Sequence, residues 1–217
     1  MKYIYLIIFI ISTICFSQNS YQLAVLKYQG GGDWYSNPSS LKNLATFCNQ
    51  NLNMNIQTDY AIVEPNSQNL FDYPFIYMTG HGNVVFDESD VENMRKYLTG
   101  GGFLHIDDNY GMDQYIRAEI KKIFPELDLI EVPHTHPIYH NIYKFQNGLP
   151  KIHEHNNKPA EGLALIYENR IICFYSYESD LGDGWEDAGI HKNPENIRQK
   201  ALKMGANILA YAMNPKK

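Results

Sequence analysis

Three groups of polar residues could carry chemistry, because each directly follows an apolar segment that predicts a buried strand. The first group is Gly80-His81-Gly82, in which a glycine on either side of the histidine lets the backbone approach a ligand. The second group spans residues 105–109 and the third spans residues 175–185. Ligands of open α/β sheets bind outside the carboxyl ends of the strands. We therefore expect the three groups to line one cleft.

The second group contains two adjacent carboxylates, Asp107 and Asp108, which are candidate catalytic residues. A carboxylate at such a turn could act as a general base or as a metal ligand, with His81 or His136 as the acid or as a further ligand. Asp108 has a second interpretation as the N-cap of the following helix, where its side chain accepts hydrogen bonds from the first helical N–H groups. The two roles are compatible with one another.

Candidate ligand-binding residues lie at these turns and in an earlier glycine-rich loop. Each of the two tryptophans has two interpretations, because an indole in a loop can stack on a sugar or close over a core. Acidic residues from Asp180 onward alternate with glycines but lack EF-hand spacing, which favours an acidic turn over a calcium loop. The candidates are Gly80, Gly82, Asn109, Trp34, Glu178, Asp180 and Trp185.

Five of the eight histidines lie between residues 134 and 155. On an extended chain, His134-Thr135-His136 would direct both imidazoles the same way, and with Asp107 or Asp108 they could complete a site for a divalent metal. His153-Glu154-His155 has the same spacing, but no strand context surrounds it, so we interpret it as a solvated loop. A divalent metal is thus the cofactor that the sequence suggests, at His134, His136 and Asp108.

The elements that must position these residues alternate between strands and helices. Ser89 and Glu92 have the spacing of a capping box that begins a helix ending at Gly100. The predicted strands are 22–28, 57–63, 75–79 and 103–106, the other predicted helices are 41–51, 112–124 and 195–213, and a hairpin is predicted at 163–167 and 170–175. This order predicts a parallel sheet with crossover helices, and thus an α/β domain.

Composition narrows the class of protein. The chain has 217 residues and a formal net charge of -6, which suits one globular domain and argues against a nucleic-acid binder, since phosphate contacts need a basic surface. Cys48 lies on the apolar face of a predicted helix and Cys173 lies inside a predicted strand. We therefore expect two buried thiols rather than a disulfide.

The first 17 residues have the pattern of a cleaved export signal: Lys2, an apolar segment at 3–16, and small residues at Cys15 and Ser17 before the cut. A membrane anchor is disfavoured because about 14 apolar residues fall short of the roughly 20 that span a bilayer. A lipoprotein is disfavoured because bulky Ile14 precedes Cys15. We expect residues 18–217 to form one secreted or periplasmic domain with no stable membrane span after cleavage.

The order of the motifs resembles the bacterial DUF4159 family over nearly all of the mature chain. The resemblance rests on segments 26–28, 33–35, 73–82, 101–109, 136–139 and 180–185, with Asn207-Ile208 near its end. The family has no known function and is assigned to the class I glutamine-amidotransferase-like fold, so the resemblance implies a flavodoxin-like parallel sheet, with the predicted hairpin near one edge. A more distant similarity to trehalose-utilisation (ThuA-like) proteins rests on the G-G-F strand and the H-P-I segment.

The chain departs from the amidotransferases at the turn where they carry a G-x-C-x-G cysteine nucleophile. Residues 105–111 contain no cysteine, which excludes amidotransfer by that mechanism. We expect a ligand-binding module of the cell envelope, for a small molecule, a carbohydrate or an envelope protein. The alternatives are a hydrolase, carbohydrate-directed or metal-dependent, that uses Asp107 or Asp108 with His81 or His136, and a fold kept for assembly alone.

Overall fold

The computed structural model describes residues 20–214. The predicted signal peptide lies outside these residues. The strands are β1 (Ala24–Leu26), β2 (Ala61–Val63), β3 (Phe75–Gly80), β4 (Phe103–Asp108), β5 (Ile130–Glu131), β6 (Glu161–Tyr167) and β7 (Arg170–Tyr177). The helices are α1 (Ser40–Leu52), α2 (Glu88–Thr99), α3 (Asp113–Ile123), α4 (Leu181–Trp185) and α5 (Glu195–Met213), with short 3-10 turns at Gln68–Asp72 and Pro137–Tyr139.

The seven strands form one sheet in the order β2-β1-β3-β4-β7-β6-β5. β1, β2, β3, β4 and β7 pair in parallel, whereas β6 is antiparallel to both β7 and β5. The prediction of an α/β fold with a mainly parallel sheet and an antiparallel hairpin near one edge is therefore confirmed. The carboxyl ends of β3, β4 and β7 lie side by side, which is the arrangement that the three polar groups require.

Both faces of the sheet are covered, so the central strands are buried throughout. Alternate residues of β4 enter opposite apolar layers, with Phe103 in the layer of α1 and α5 and Leu104 in the layer of α2 and α3. His105 lies on the same face as Phe103, where it contacts the rings of Tyr77 and Trp185. Cys48 and Cys173 are buried and unpaired, as predicted.

Several local predictions need correction. The capping box of α2 is formed by Asp87 and Asp90, because the helix begins one residue before Ser89. β4 continues through Asp108, since backbone pairing to β3 extends to that residue. Residues 181–185, expected as a turn, form the short helix α4. Within residues 20–214, no helix is both long and apolar enough to cross a membrane.

Candidate functional site

Asp107, at the end of β4, is fully buried and connects the strand to the turn that follows β7. Its Oδ1 accepts hydrogen bonds from Ser176 Oγ at 2.5 Å and Leu181 N at 3.1 Å. Its Oδ2 accepts from Gly182 N at 2.6 Å and Tyr77 Oη at 3.2 Å. Both oxygens therefore have two donors each, and the carboxylate fixes the start of α4.

Asp180 lies in this turn with an unusual backbone and an incomplete set of contacts. Its φ of 58° is in the left-handed region, which non-glycine residues rarely adopt. Its side chain is 1% exposed, and its Oδ2 lies 2.5 Å from His155 Nε2. Among the described residues nothing contributes a hydrogen bond to its Oδ1. A buried carboxylate oxygen without a partner is costly, which marks the position as a functional candidate.

Asp183, one helical turn further along, contacts two more histidines. Its Oδ2 lies 2.7 Å from His153 Nδ1 and 3.4 Å from His191 Nδ1. Its Oδ1 accepts a hydrogen bond from Asn37 Nδ2 at 3.1 Å. Asp180 and Asp183 thus hold three imidazoles from two separate segments at the carboxyl edge of the sheet.

The segment that carries His153 and His155 is placed by backbone contacts rather than by secondary structure. Ile152 N donates to Ser179 O at 2.9 Å, and Ser179 Oγ donates to Pro150 O at 2.6 Å. Glu178 accepts hydrogen bonds from Lys151 and Asn156 on either side of the histidine pair. These contacts hold the segment along the turn after β7.

The carboxylates of Asp107, Asp180 and Asp183 lie close together at this edge of the sheet, and they repel one another. Burial, reinforced by the negative charges of Asp107 and Asp183, raises the pKa of Asp180 to about 9. Burial also raises the pKa of Asp107 to about 6, against the hydrogen bonds that its carboxylate accepts. A bound cation would offset this concentration of negative charge.

One aromatic ring and two amide side chains lie next to these aspartates and histidines. Tyr110, at the turn after β4, has a φ of 80° and is half exposed, and its ring stacks on that of His155 with 4.8 Å between centroids. Asn37 Nδ2, besides its bond to Asp183, lies 3.5 Å from Asn109 Oδ1. Tyr110 thus offers an exposed ring beside His155, whereas Asn37 and Asn109 are buried.

The donor set fits a metal ion. Within residues 20–214, two sets of three side chains place one potential ligand atom each within 4.8 Å of one another: His153, His155 and Asp180, and His153, Asp183 and His191. Imidazole and carboxylate are ligands that zinc and related divalent transition metals prefer. We name these five residues the His/Asp cluster.

Comparison with protein families finds a match over residues 22–213 to a domain of unknown function, DUF4159. The chain belongs to the DUF4159 family. Comparison with curated proteins found no match. Family membership therefore confirms the resemblance over nearly the whole chain but supplies no activity, and the chemistry of this DUF4159 domain must be argued from its own residues.

The structure places the predicted catalytic carboxylates of this DUF4159 domain in supporting positions. Asp108 Oδ1 accepts from Met112 N at 3.0 Å, and its Oδ2 accepts from Tyr175 Oη at 3.2 Å. The N-cap of α3 is Met112, so the prediction of Asp108 as the N-cap is wrong, because four residues separate it from the helix that starts at Asp113. Burial raises the pKa of Asp108. Asp107 fixes α4, as described above. The negative charges of both carboxylates help to raise the pKa of Asp180 in the His/Asp cluster.

His81, which directly follows β3, contacts Asp33 in the glycine-rich loop. His81 Nδ1 lies 2.9 Å from Asp33 Oδ2, and the His81 N–H also donates to Asp33. Gly80 and Gly82 have φ values of 133° and 77°, which only glycine adopts readily. Trp34 is partly buried and packs against the core. The His81 side chain is 56% exposed and is available to a ligand.

Of the remaining ligand-binding candidates, Asp180 belongs to the His/Asp cluster and Glu178 holds the segment that carries its histidines. Asn109 is buried and lies 3.5 Å from Asn37, which in turn contacts Asp183. Trp185 is fully buried, donates its Nε1–H to Ala201 O at 2.8 Å, and packs under α5. Because α4 directs the Trp185 side chain inward, the indole packs in the core.

The predicted metal ligands do not come together in the described part of the chain. His136 Nδ1 accepts a hydrogen bond from Ile138 N at 3.1 Å, and its ring packs against Tyr211. His134, His136 and Asp108 form none of the three-residue sets within residues 20–214. His153-Glu154-His155 lies in a loop in which Glu154 and His155 are exposed, as predicted, but both imidazoles also contact buried aspartates, which the prediction did not include. Their H-x-H spacing was the sequence signal that could have identified them.

Proposed function

We propose that this protein binds a divalent metal ion at the His/Asp cluster, with His153, His155 and Asp180 as the principal ligands. The observation that supports this most directly is Asp180 Oδ1, a buried carboxylate oxygen without a partner in residues 20–214, beside His155. Asp183 and His191 would complete the coordination of the same ion. Three imidazoles favour zinc or a similar metal over calcium or magnesium, which prefer oxygen ligands.

The metal would serve ligand binding in the cell envelope. The cluster lies at the carboxyl edge of the sheet, where α/β folds bind ligands, and the exposed ring of Tyr110 beside His155 supplies a stacking surface. The ligand is a small molecule, a carbohydrate or an envelope protein. The class I glutamine-amidotransferase-like fold and export through the segment at residues 1–17 belong to the same proposal.

A metal-dependent hydrolase is the second candidate, favoured by the His153–Asp183 pair. A carboxylate 2.7 Å from an imidazole is the arrangement that orients a general base. Asp183 is buried, whereas the His153 side chain is 29% exposed, so the imidazole of this pair is open to solvent. The test is turnover of a panel of carbohydrate esters and glycosides. Turnover that is lost in Asp183→Asn would support the hydrolase, whereas binding without turnover would support the ligand-binding module.

The metal itself is tested by calorimetric titration of residues 18–217, purified without a histidine tag, with zinc chloride. We expect close to one ion per chain, and we expect His155→Ala to remove binding. His134→Ala is the matched control, because His134 lies in the same histidine-rich segment but outside the cluster, and it should bind as the wild type does. Equal loss in both variants would contradict the assignment.

Export is tested separately by expressing the full chain in its host and fractionating the cells. The mass of the recovered protein should correspond to residues 18–217, and the protein should lie in the envelope or the medium. Recovery of the uncleaved chain from the cytoplasm would contradict the export proposal without affecting the metal site.

A further inference from the structure

A cavity of about 500 Å³ lies between the segment at residues 143–150 and helix α5. Its lining residues are Tyr143, Lys144, Phe145, Gln146, Asn147, Gly148, Leu149, Pro150, Lys200 and Lys203. None of them belongs to the His/Asp cluster. The volume is within the range of sites that hold small organic molecules.

The charge of this cavity is opposite to that of the chain. Its walls include three lysines and no carboxylate, whereas the chain has 24 acidic residues against 18 basic ones. Lys200 and Lys203 are three residues apart on α5, so they lie on one face of the helix. The resulting local positive field would attract an anion to this part of an otherwise acidic surface.

Two of the three ammonium groups are held in place. Lys144 Nζ donates to His140 O at 2.5 Å, and Lys203 Nζ lies 5.6 Å from the centre of the Tyr143 ring. Neither contact uses a carboxylate, so the positive charges are not neutralised by them. An anion in the cavity would therefore interact with positive charges that the protein already holds in place.

The wall opposite α5 is also fixed before any ligand binds. The buried side chain of Asn207 accepts from Tyr143 N at 2.8 Å and donates to Tyr143 O at 2.8 Å. Asn141 Nδ2 donates to Asn207 O at 3.1 Å, and Gly148 N donates to Phe145 O at 3.1 Å. A wall that is already ordered lowers the entropy lost on binding.

We propose that this cavity binds a small organic anion, with a phosphate or carboxylate group among the lysines and an apolar body against the aromatic wall. Tyr143, Phe145 and Leu149 supply that wall. The site is independent of the metal, and it adds a second binding function to the protein.

The test is a titration of residues 18–217 with phenyl phosphate and with benzoate, using benzyl alcohol as the neutral analogue and inorganic phosphate as the anion without a ring. All titrations use His155→Ala with chelator present, so that phosphate bound to a metal does not contribute. We expect phenyl phosphate or benzoate to bind, and benzyl alcohol not to. The better of the two anions identifies the head group.

Adding Lys200→Gln and Lys203→Gln should weaken binding about tenfold, because the anion loses two nearby positive charges that solvent partly screens. The matched control removes two helical lysines elsewhere, Lys42→Gln and Lys96→Gln, and should leave binding unchanged. Lys203→Arg retains the charge and should retain binding. Equal weakening by both double variants, equal binding of the neutral analogue, or no binding at about 10 mM would overturn the proposal.

Discussion

Replacing Asp180 with asparagine should stabilise the metal-free protein while it removes metal binding. Asp180 is 1% exposed, its Oδ1 lacks a partner in the described residues, and the carboxylates of Asp107 and Asp183 lie nearby. An asparagine has nearly the same shape and no ionised form. The substitution therefore removes the cost of burying an acid in a negative environment, which is a cost that a functional residue can impose on its fold.

The magnitude follows from the pKa. Because the pKa of Asp180 is about 9 in the folded chain and 3.8 ordinarily, folding at pH 7 requires the carboxyl to take up a proton that the unfolded chain does not hold. That uptake costs about 4 kcal/mol at pH 7. Loss of the contact with His155 offsets about 1 to 2 kcal/mol of the gain. We expect a net stabilisation of about 2 kcal/mol, or roughly 4 to 8 °C in Tm.

Thermal and urea unfolding in the presence of chelator measure this difference. Because the folded pKa lies above the unfolded one, the stability contribution is full below pH 3.8 and is lost as the pH rises towards 9. Between pH 7 and 9 the wild type should lose about 1.4 kcal/mol per pH unit, and Asp180→Asn should not. Asp128→Asn, with its side chain 80% exposed, is the control. A destabilised Asp180→Asn with the wild-type pH dependence would refute the reasoning.

Three further predictions concern the surrounding fold. Asp107→Ala should lower the free energy of unfolding by about 3 kcal/mol, because four donors lose their acceptor, and a loss below about 1 kcal/mol would contradict its structural role. Gly205→Ala should cost about 1 to 3 kcal/mol in a urea titration, because a Cβ there would lie 2.6 Å from Trp185, whereas Gly189→Ala, with open space around it, should be neutral. The two cysteines of residues 20–214 should be unreactive towards Ellman's reagent until the protein unfolds, since both are buried, and burial raises the pKa of Cys48 to about 12.

The elements with strong patterns could be predicted from the sequence. Helix α5 begins and ends where its apolar periodicity does, and β3 and β4 begin with apolar residues that directly follow Pro74 and Gly102. Short elements without periodicity were missed. Helix α4 has five residues, two of them glycines, and it forms because Asp107 accepts hydrogen bonds from its first N–H groups. That contact joins residues more than 70 positions apart.

The candidate site, too, could be predicted only in part from the sequence. Asp180 was identifiable because it follows a strand, but its partner His155 lies 25 residues earlier, in a segment with no periodic pattern. The choice between two H-x-H pairs depended on which one the tertiary structure brings to the carboxyl edge of the sheet. His136 instead caps a 3-10 turn with its Nδ1, a local use that spacing does not distinguish from metal binding.

Whether the His/Asp cluster binds a divalent metal is decided by the zinc titration of residues 18–217 alongside His155→Ala and His134→Ala. We predict close to one zinc per chain in the wild type and in His134→Ala, and none in His155→Ala. Zinc binding that persists in His155→Ala, or that is absent from a folded wild type, would contradict this prediction.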